Sequence, residues 1–122
     1  MNAQTPPSAG SGYTANVTGH APPGYGTVTP WVISRDTARL IDFVRDAFDA
    51  EELARFPDPD GRIGHAEVRI GNSVVMMFDS WPGWPATPGF LRLYVADADQ
   101  SYQRAMAARG HVGYGGDRAV LR

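Results

Sequence analysis

Gly64-His65-Ala66-Glu67-Val68-Arg69-Ile70-Gly71-Asn72-Ser73-Val74-Val75-Met76-Met77-Phe78-Asp79 is the stretch on which the fold turns. Residues 64–70 alternate in polarity, Gly71-Asn72 is a two-residue turn pair, and residues 73–79 return as an apolar, partly β-branched run. If Ile70 and Ser73 flank the loop, Arg69 opposes Val74, Glu67 opposes Met76 and His65 opposes Phe78. Ala66, Val68, Val75 and Met77 then share one wholly apolar face, which must be covered by a helix. The other face carries His65, Glu67, Arg69, Met76 and Phe78. Its mixed chemistry suits a groove or a partner surface.

Working outward toward the N-terminus, residues 51–56 read as a further strand. Asp58-Pro59-Asp60-Gly61 follows as a turn in which proline presets one φ and glycine supplies another. Before it lies a helix: Asp36 is its expected N-cap, and Leu40, Phe43, Val44, Ala47 and Phe48 recur at the spacing of one buried face. Asp49 is expected to close it in a left-handed conformation. Residues 27–33 alternate as a strand containing Pro30, which cannot donate to a ladder and so marks an edge or an unpaired side. Residues 1–26, rich in Ala, Pro, Gly, Ser and Thr without hydrophobic period, are expected to be a disordered tail whose Tyr13, His20 and Tyr25 carry no function.

Toward the C-terminus, residues 80–89 form a Trp/Pro/Gly loop. Residues 90–95 read as a strand with Phe90, Arg92 and Tyr94 on one side and Leu91, Leu93 and Val95 on the other. Asp97 caps a second helix through Ala108, expected to bury Ala98, Tyr102, Ala105 and Met106 and to end at Gly110. The remainder is glycine-rich.

The chain has 122 residues, a net charge of -2 and no cysteine. That leaves room for one domain and excludes a disulfide framework, a thiolate metal site and a thiol nucleophile. A near-neutral charge balance argues against nucleic acid or an anionic membrane as partner. No apolar run reaches membrane-spanning length and no signal-peptide order opens the chain, so the expected location is the cytoplasm.

The order of elements is one βαβββ module followed by the opening of a second, an α+β architecture. Val28-Thr29-Pro30-Trp31-Val32, Ala47-Phe48-Asp49-Ala50-Glu51, Pro57-Asp58-Pro59-Asp60-Gly61, Gly64-His65-Ala66-Glu67 and Ile70-Gly71-Asn72-Ser73 occur in sequence, and Leu93-Tyr94-Val95-Ala96-Asp97 and Gly116-Asp117-Arg118 follow. Together they resemble the PhnB-like branch of the glyoxalase/bleomycin-resistance/dioxygenase (vicinal oxygen chelate) superfamily. The resemblance covers residues 27–122. It implies a first module over residues 27–80, a loop over 81–89 and a partial second module over 90–122. Asp49 stands where relatives usually have glycine, and Val44 where they often have tyrosine.

The family pattern continues through two further strands joined by an Asp-Pro-Phe-Gly turn, whereas this sequence stops at Arg122. The expectation is a homodimer, with strand exchange as one way of completing the second module. A shortened, inactive remnant is the alternative.

Metal-dependent members of the resembled family bind a divalent ion through side chains on the first and fourth strands of module one and the first and last strands of module two. Carried onto this chain, three of those positions fall on Thr29, Met76 and Phe90, and the fourth lies past Arg122. Threonine is a poor ligand, a thioether favours soft ions and phenylalanine donates nothing. The expectation is therefore no metal and no other cofactor, with a divalent metal as the alternative.

What remains is a metal-independent small-molecule binder, similar to bleomycin-resistance proteins and so tied to antibiotic resistance. Its planar or aromatic ligand would lie against Trp31, Met76, Phe78, Phe90, Arg92 and Tyr94, with Trp81 and Trp84 as a lid. The same aromatic face also suits a dimer interface. The rival is an enzyme of lyase, isomerase or dioxygenase type, in which His65 and Glu67 are the catalytic candidates, since an imidazole can act as general acid or base. The structural alternative is that His65 bonds across strands and Glu67 pairs with Arg69 or Arg92.

Overall fold

A computed structural model of the chain describes residues 19–109. The order of elements is β1 (Trp31–Ser34), α1 (Thr37–Phe48), β2 (Glu51–Pro57), β3 (Ile63–Ile70), β4 (Ser73–Asp79) and α2 (Ala98–Ala108). The four strands form one sheet in the order β1-β4-β3-β2. The pair β1/β4 is parallel, and β3 is antiparallel to both β4 and β2. This α+β arrangement is the βαβββ module the sequence calls for.

The central hairpin has the expected register: Ile70 pairs with Ser73, Arg69 with Val74 and Glu67 with Met76, and the ladder ends at Ala66 and Met77. Gly71 supplies the positive φ, 59°, that a two-residue turn with glycine at its first central position needs. Ala66, Val68, Val75 and Met77 are buried against α1, whose Leu40, Ile41, Phe43, Val44 and Ala47 form the facing stripe. Phe48, expected in that stripe, is only partly buried at its edge.

Both ends of α1 follow from local chemistry. The Asp36 carboxylate accepts the Arg39 N–H at 3.2 Å, and Asp49 takes the left-handed conformation (φ 54°, ψ 34°), donating its N–H to the Arg45 carbonyl at 3.1 Å. Strand β1 begins one residue after Pro30 and lies at the sheet edge. Pro30 itself contributes its carbonyl, which accepts the Met76 N–H at 2.9 Å. A proline can do this although it has no proton to give.

Three expectations are corrected. Residues 90–95 form no strand among the described residues. Their polarity still alternates, with Leu91 packed on the core and Phe90 and Tyr94 about nine-tenths exposed. Periodicity settles which side faces inward, but a strand also needs a neighbouring backbone to pair with. The second correction concerns α2, which buries Ala105 and Ala108 rather than Ala98 and Tyr102. It packs on α1 through its C-terminal half, where alanines permit close approach. Gly110, its expected terminator, lies outside the described residues.

Third, residues 19–26 belong to the structure. Tyr25 closes a turn onto the Pro22 carbonyl at 3.0 Å, and its side chain reaches the sheet. Tyr13 and the rest of residues 1–18 lie outside the described residues. Among the described residues, no helix is long and apolar enough to cross a membrane.

Candidate functional site

Strand alternation places His65, Glu67 and Arg69 of β3 beside Met76 and Phe78 of β4, on the sheet face opposite α1. Strand β1 adds Trp31, in register with Met76. Strand β2 adds Phe56, in register with His65. The rings form a connected set. Trp31 meets Phe78 edge-on at 5.6 Å between centroids and His65 at 6.1 Å, Phe56 lies 6.1 Å from His65, and Trp84 lies 6.3 Å from Phe78. Trp31, Phe56 and Trp84 are each more than half exposed, so this surface is accessible.

Glu67 lies among these rings with only 14% of its side chain exposed. Its Oε2 is 2.8 Å from His65 Nε2, and its Oε1 accepts the Tyr25 hydroxyl. The Tyr25 hydrogen bond, and after it the His65 contact, hold the Glu67 carboxyl below its ordinary range, against the effect of burial. The same Glu67 bond, with burial, raises the Tyr25 phenol. An ionised carboxylate can only accept, so the His65 Nε2 is the donor in this contact.

The ligand-binding residues expected from the sequence are divided between two places. Trp31, Met76, Phe78 and Trp84 belong to the face just described. Trp81 is held to Trp84 by a reciprocal pair of backbone hydrogen bonds, at 3.0 and 2.8 Å. Arg92 and Tyr94 instead line a cavity of about 510 Å³ between the end of α1, the β3–β4 turn and the start of α2. Phe90 is 92% exposed and is not among the residues lining that cavity. The expected bond from Glu67 to Arg69 or Arg92 does not form: Arg69 pairs with Glu51 across the β2–β3 ladder.

Sequence reasoning missed two members of the face. Phe56 was recoverable, because the turn at residues 58–61 sets the β2–β3 register and brings it opposite His65. For Tyr25 the local signal was Pro22-Pro23-Gly24, a stiff turn that holds one aromatic ring. Nothing in its neighbourhood says where that ring lands.

The sequence pattern of the Glyoxalase/Bleomycin resistance protein/Dioxygenase superfamily matches residues 24–120. The chain belongs to that superfamily. Uncharacterized proteins of Mycobacterium bovis and of Mycobacterium tuberculosis (strain H37Rv) are each 38% identical to it over 92 residues, 66% of this chain. The chain spans 60% of the first relative's length and 54% of the second's.

Among solved structures, a gene product of Arabidopsis thaliana is similar at TM-score 0.54 and 18% identity, over 69% of this chain and 73% of that one. The PhnB protein of Bacillus cereus gives TM-score 0.51 and 18% identity over 68% and 72%. The fosfomycin resistance protein FosX of Listeria monocytogenes gives 0.51 and 16% over 67% and 68%. At such identities the structures support the fold alone.

Among the described residues, the three positions onto which the resemblance carries metal ligands hold Thr29, Met76 and Phe90. Met76 is in register with Trp31 on β1, and Phe90 stands almost fully exposed on a segment that forms no strand. Among the described residues, no three His, Asp or Glu side chains are grouped to hold a metal. His65 and Glu67 supply two donors, and these are already bonded to each other.

Proposed function

We propose that this chain binds a planar or aromatic small molecule on the sheet face around Glu67, without a divalent ion. The observation that carries this reading is the ring set of Trp31, Phe56, Phe78 and Trp84, which leaves half-exposed aromatic surface around a hydrogen-bonded His65–Glu67 pair. Stacking surface with a few fixed polar groups is what orients a small ligand in a cleft. Trp31 and Trp84 report directly on occupancy. Titration of tryptophan fluorescence with aromatic compounds, checked by calorimetry, should give saturable quenching. Flat titrations with folded protein would reject the proposal.

A second reading is catalysis, favoured by the 2.8 Å contact between His65 Nε2 and Glu67 Oε2. In it Glu67 orients the ring and the His65 Nδ1 takes a proton from a bound substrate. Elemental analysis separates the readings: a stoichiometric divalent metal that survives dialysis favours the enzyme. The chain is further proposed to act as a homodimer, since residues 90–95 keep strand-like alternation without forming a strand among the described residues. Light scattering after size exclusion tests this, and a clean monomer would reject it.

A further inference from the structure

Glu67 differs from the other two glutamates, and from Asp49, in its partners. Asp49 pairs with Arg104, Glu51 with Arg69, and Glu52 with Arg45 and Arg55. Glu67, with 14% of its side chain exposed, is bonded to a phenol and an imidazole and to no arginine. Its two hydrogen bonds keep this shielded carboxylate ionised but leave its negative charge without a fixed cation, and an incoming positive group is attracted to that charge. Trp31, Phe56 and Phe78 stand on the same sheet face as Glu67, and aromatic faces also attract cations.

Tyr25 completes the picture. It is a planar ring with one polar hydrogen, delivered from outside the sheet onto Oε1 of Glu67. A ligand of similar outline that bore a charged N–H donor would make a stronger bond at that oxygen, because charge-assisted hydrogen bonds exceed neutral ones. We propose that Glu67 is the anchor for a planar organic cation with N–H donors, of amidinium or protonated nitrogen-heterocycle type, and that the Tyr25 hydroxyl occupies its place in the free protein. This rests on the ligand-binding reading above and names the ligand class for the same site. Arg69, the nearby cation of β3, is paired with Glu51, although its charge still reaches the Tyr25 hydroxyl.

Benzamidinium, benzamide and benzoate share one planar outline and differ in charge, so the parent protein alone can be tested with all three by calorimetry and tryptophan quenching. Benzamidinium is expected to bind about tenfold more tightly than benzamide, with benzoate weakest. In Glu67→Gln the ratio of benzamidinium to benzamide affinity should fall to about one. Tyr25→Phe should tighten benzamidinium by a few-fold, and loosening would overturn the role given to Tyr25. Equal affinity for benzamidinium and benzamide, or a cation preference that survives in Glu67→Gln, overturns the inference but leaves planar-ligand binding standing. If none of the three binds, the inference and the reading beneath it fail together.

Discussion

The hydroxyl of Tyr25 donates to Oε1 of Glu67, a carboxylate 42 residues further along the chain. The bond has opposite consequences for its two partners. It favours the ionised form of Glu67 and the protonated form of Tyr25.

On the alkaline side, Tyr25 should ionise later than an ordinary tyrosine. Its folded value is raised, so its contribution to stability is complete below the ordinary value of 10.0 and is lost as pH rises through the higher folded value. Ultraviolet titration of the five tyrosines should show one late phenolate. Tyr25→Phe should delete that component and cost about 1 kcal/mol of stability. A titration unchanged by the substitution would mean that Tyr25 does not hold Glu67 in solution.

On the acid side the sign reverses. The folded value of Glu67 is depressed, so its stabilising contribution is present above the ordinary value of 4.5 and disappears as pH falls through the lower folded value. Urea unfolding followed from pH 6 downward should show a loss for the parent that Glu67→Gln lacks in that window. Parallel curves for the two proteins would contradict the assignment.

How much of this was legible in the sequence depended on range. The β3–β4 hairpin was readable because a period of two and a Gly71-Asn72 turn fix its register locally. Asp36 and Asp49 were readable at the ends of α1 because capping is a matter of a few adjacent residues. The candidate site was half readable. His65, Glu67, Met76 and Phe78 share a face by alternation, and Trp31 joins them through the β1–β4 register. Tyr25 was hidden, since composition that predicts little burial says nothing of one ring that reaches a distant carboxylate. Arg92 and Tyr94 line a separate cavity, and the alternation of residues 90–95 does not reveal which sheet, if any, that segment joins.

The C-terminus of α1 offers a test of a conformational cost against an ion pair. Asp49 is left-handed, where glycine is favoured, yet its carboxylate receives both terminal nitrogens of Arg104 at 2.9 and 2.8 Å. Arg104 also donates to the Asp46 carbonyl at 2.6 Å, tying α2 to the end of α1. Asp49→Gly loses the pair but removes the steric cost, whereas Asp49→Ala loses the pair and keeps the cost. Thermal melts should therefore place the glycine variant close to the parent and the alanine variant clearly below both. An alanine variant as stable as glycine would show that the left-handed turn relaxes when the pair is gone.

Asp79 joins the starts of α1 and β3 through one carboxylate, and its loss should be the most damaging of these substitutions. Its Oδ1 accepts the Thr37 N–H at 2.7 Å, the first residue of α1, and its Oδ2 accepts the Ile63 N–H at 2.8 Å, the first residue of β3. One partly buried carboxylate at the end of β4 thus satisfies a helix N-terminal donor, where negative charge is favoured, and a strand-end donor. Beneath it, the buried Ser34 hydroxyl accepts from the Asp36 N–H at 3.1 Å and from the Thr37 hydroxyl at 3.2 Å, so the helix start has little freedom to find new partners. Asp79→Ala leaves two part-buried N–H groups without acceptors and should cost about 2–3 kcal/mol in urea unfolding. Asp79→Asn keeps one carbonyl oxygen but turns an amide toward the second donor, so about half of that loss is expected. Both variants leave the Glu67 face untouched, and ligand titrations on the folded fraction should match the parent. A stability change within about 0.5 kcal/mol for Asp79→Ala would show that water replaces the carboxylate at this junction.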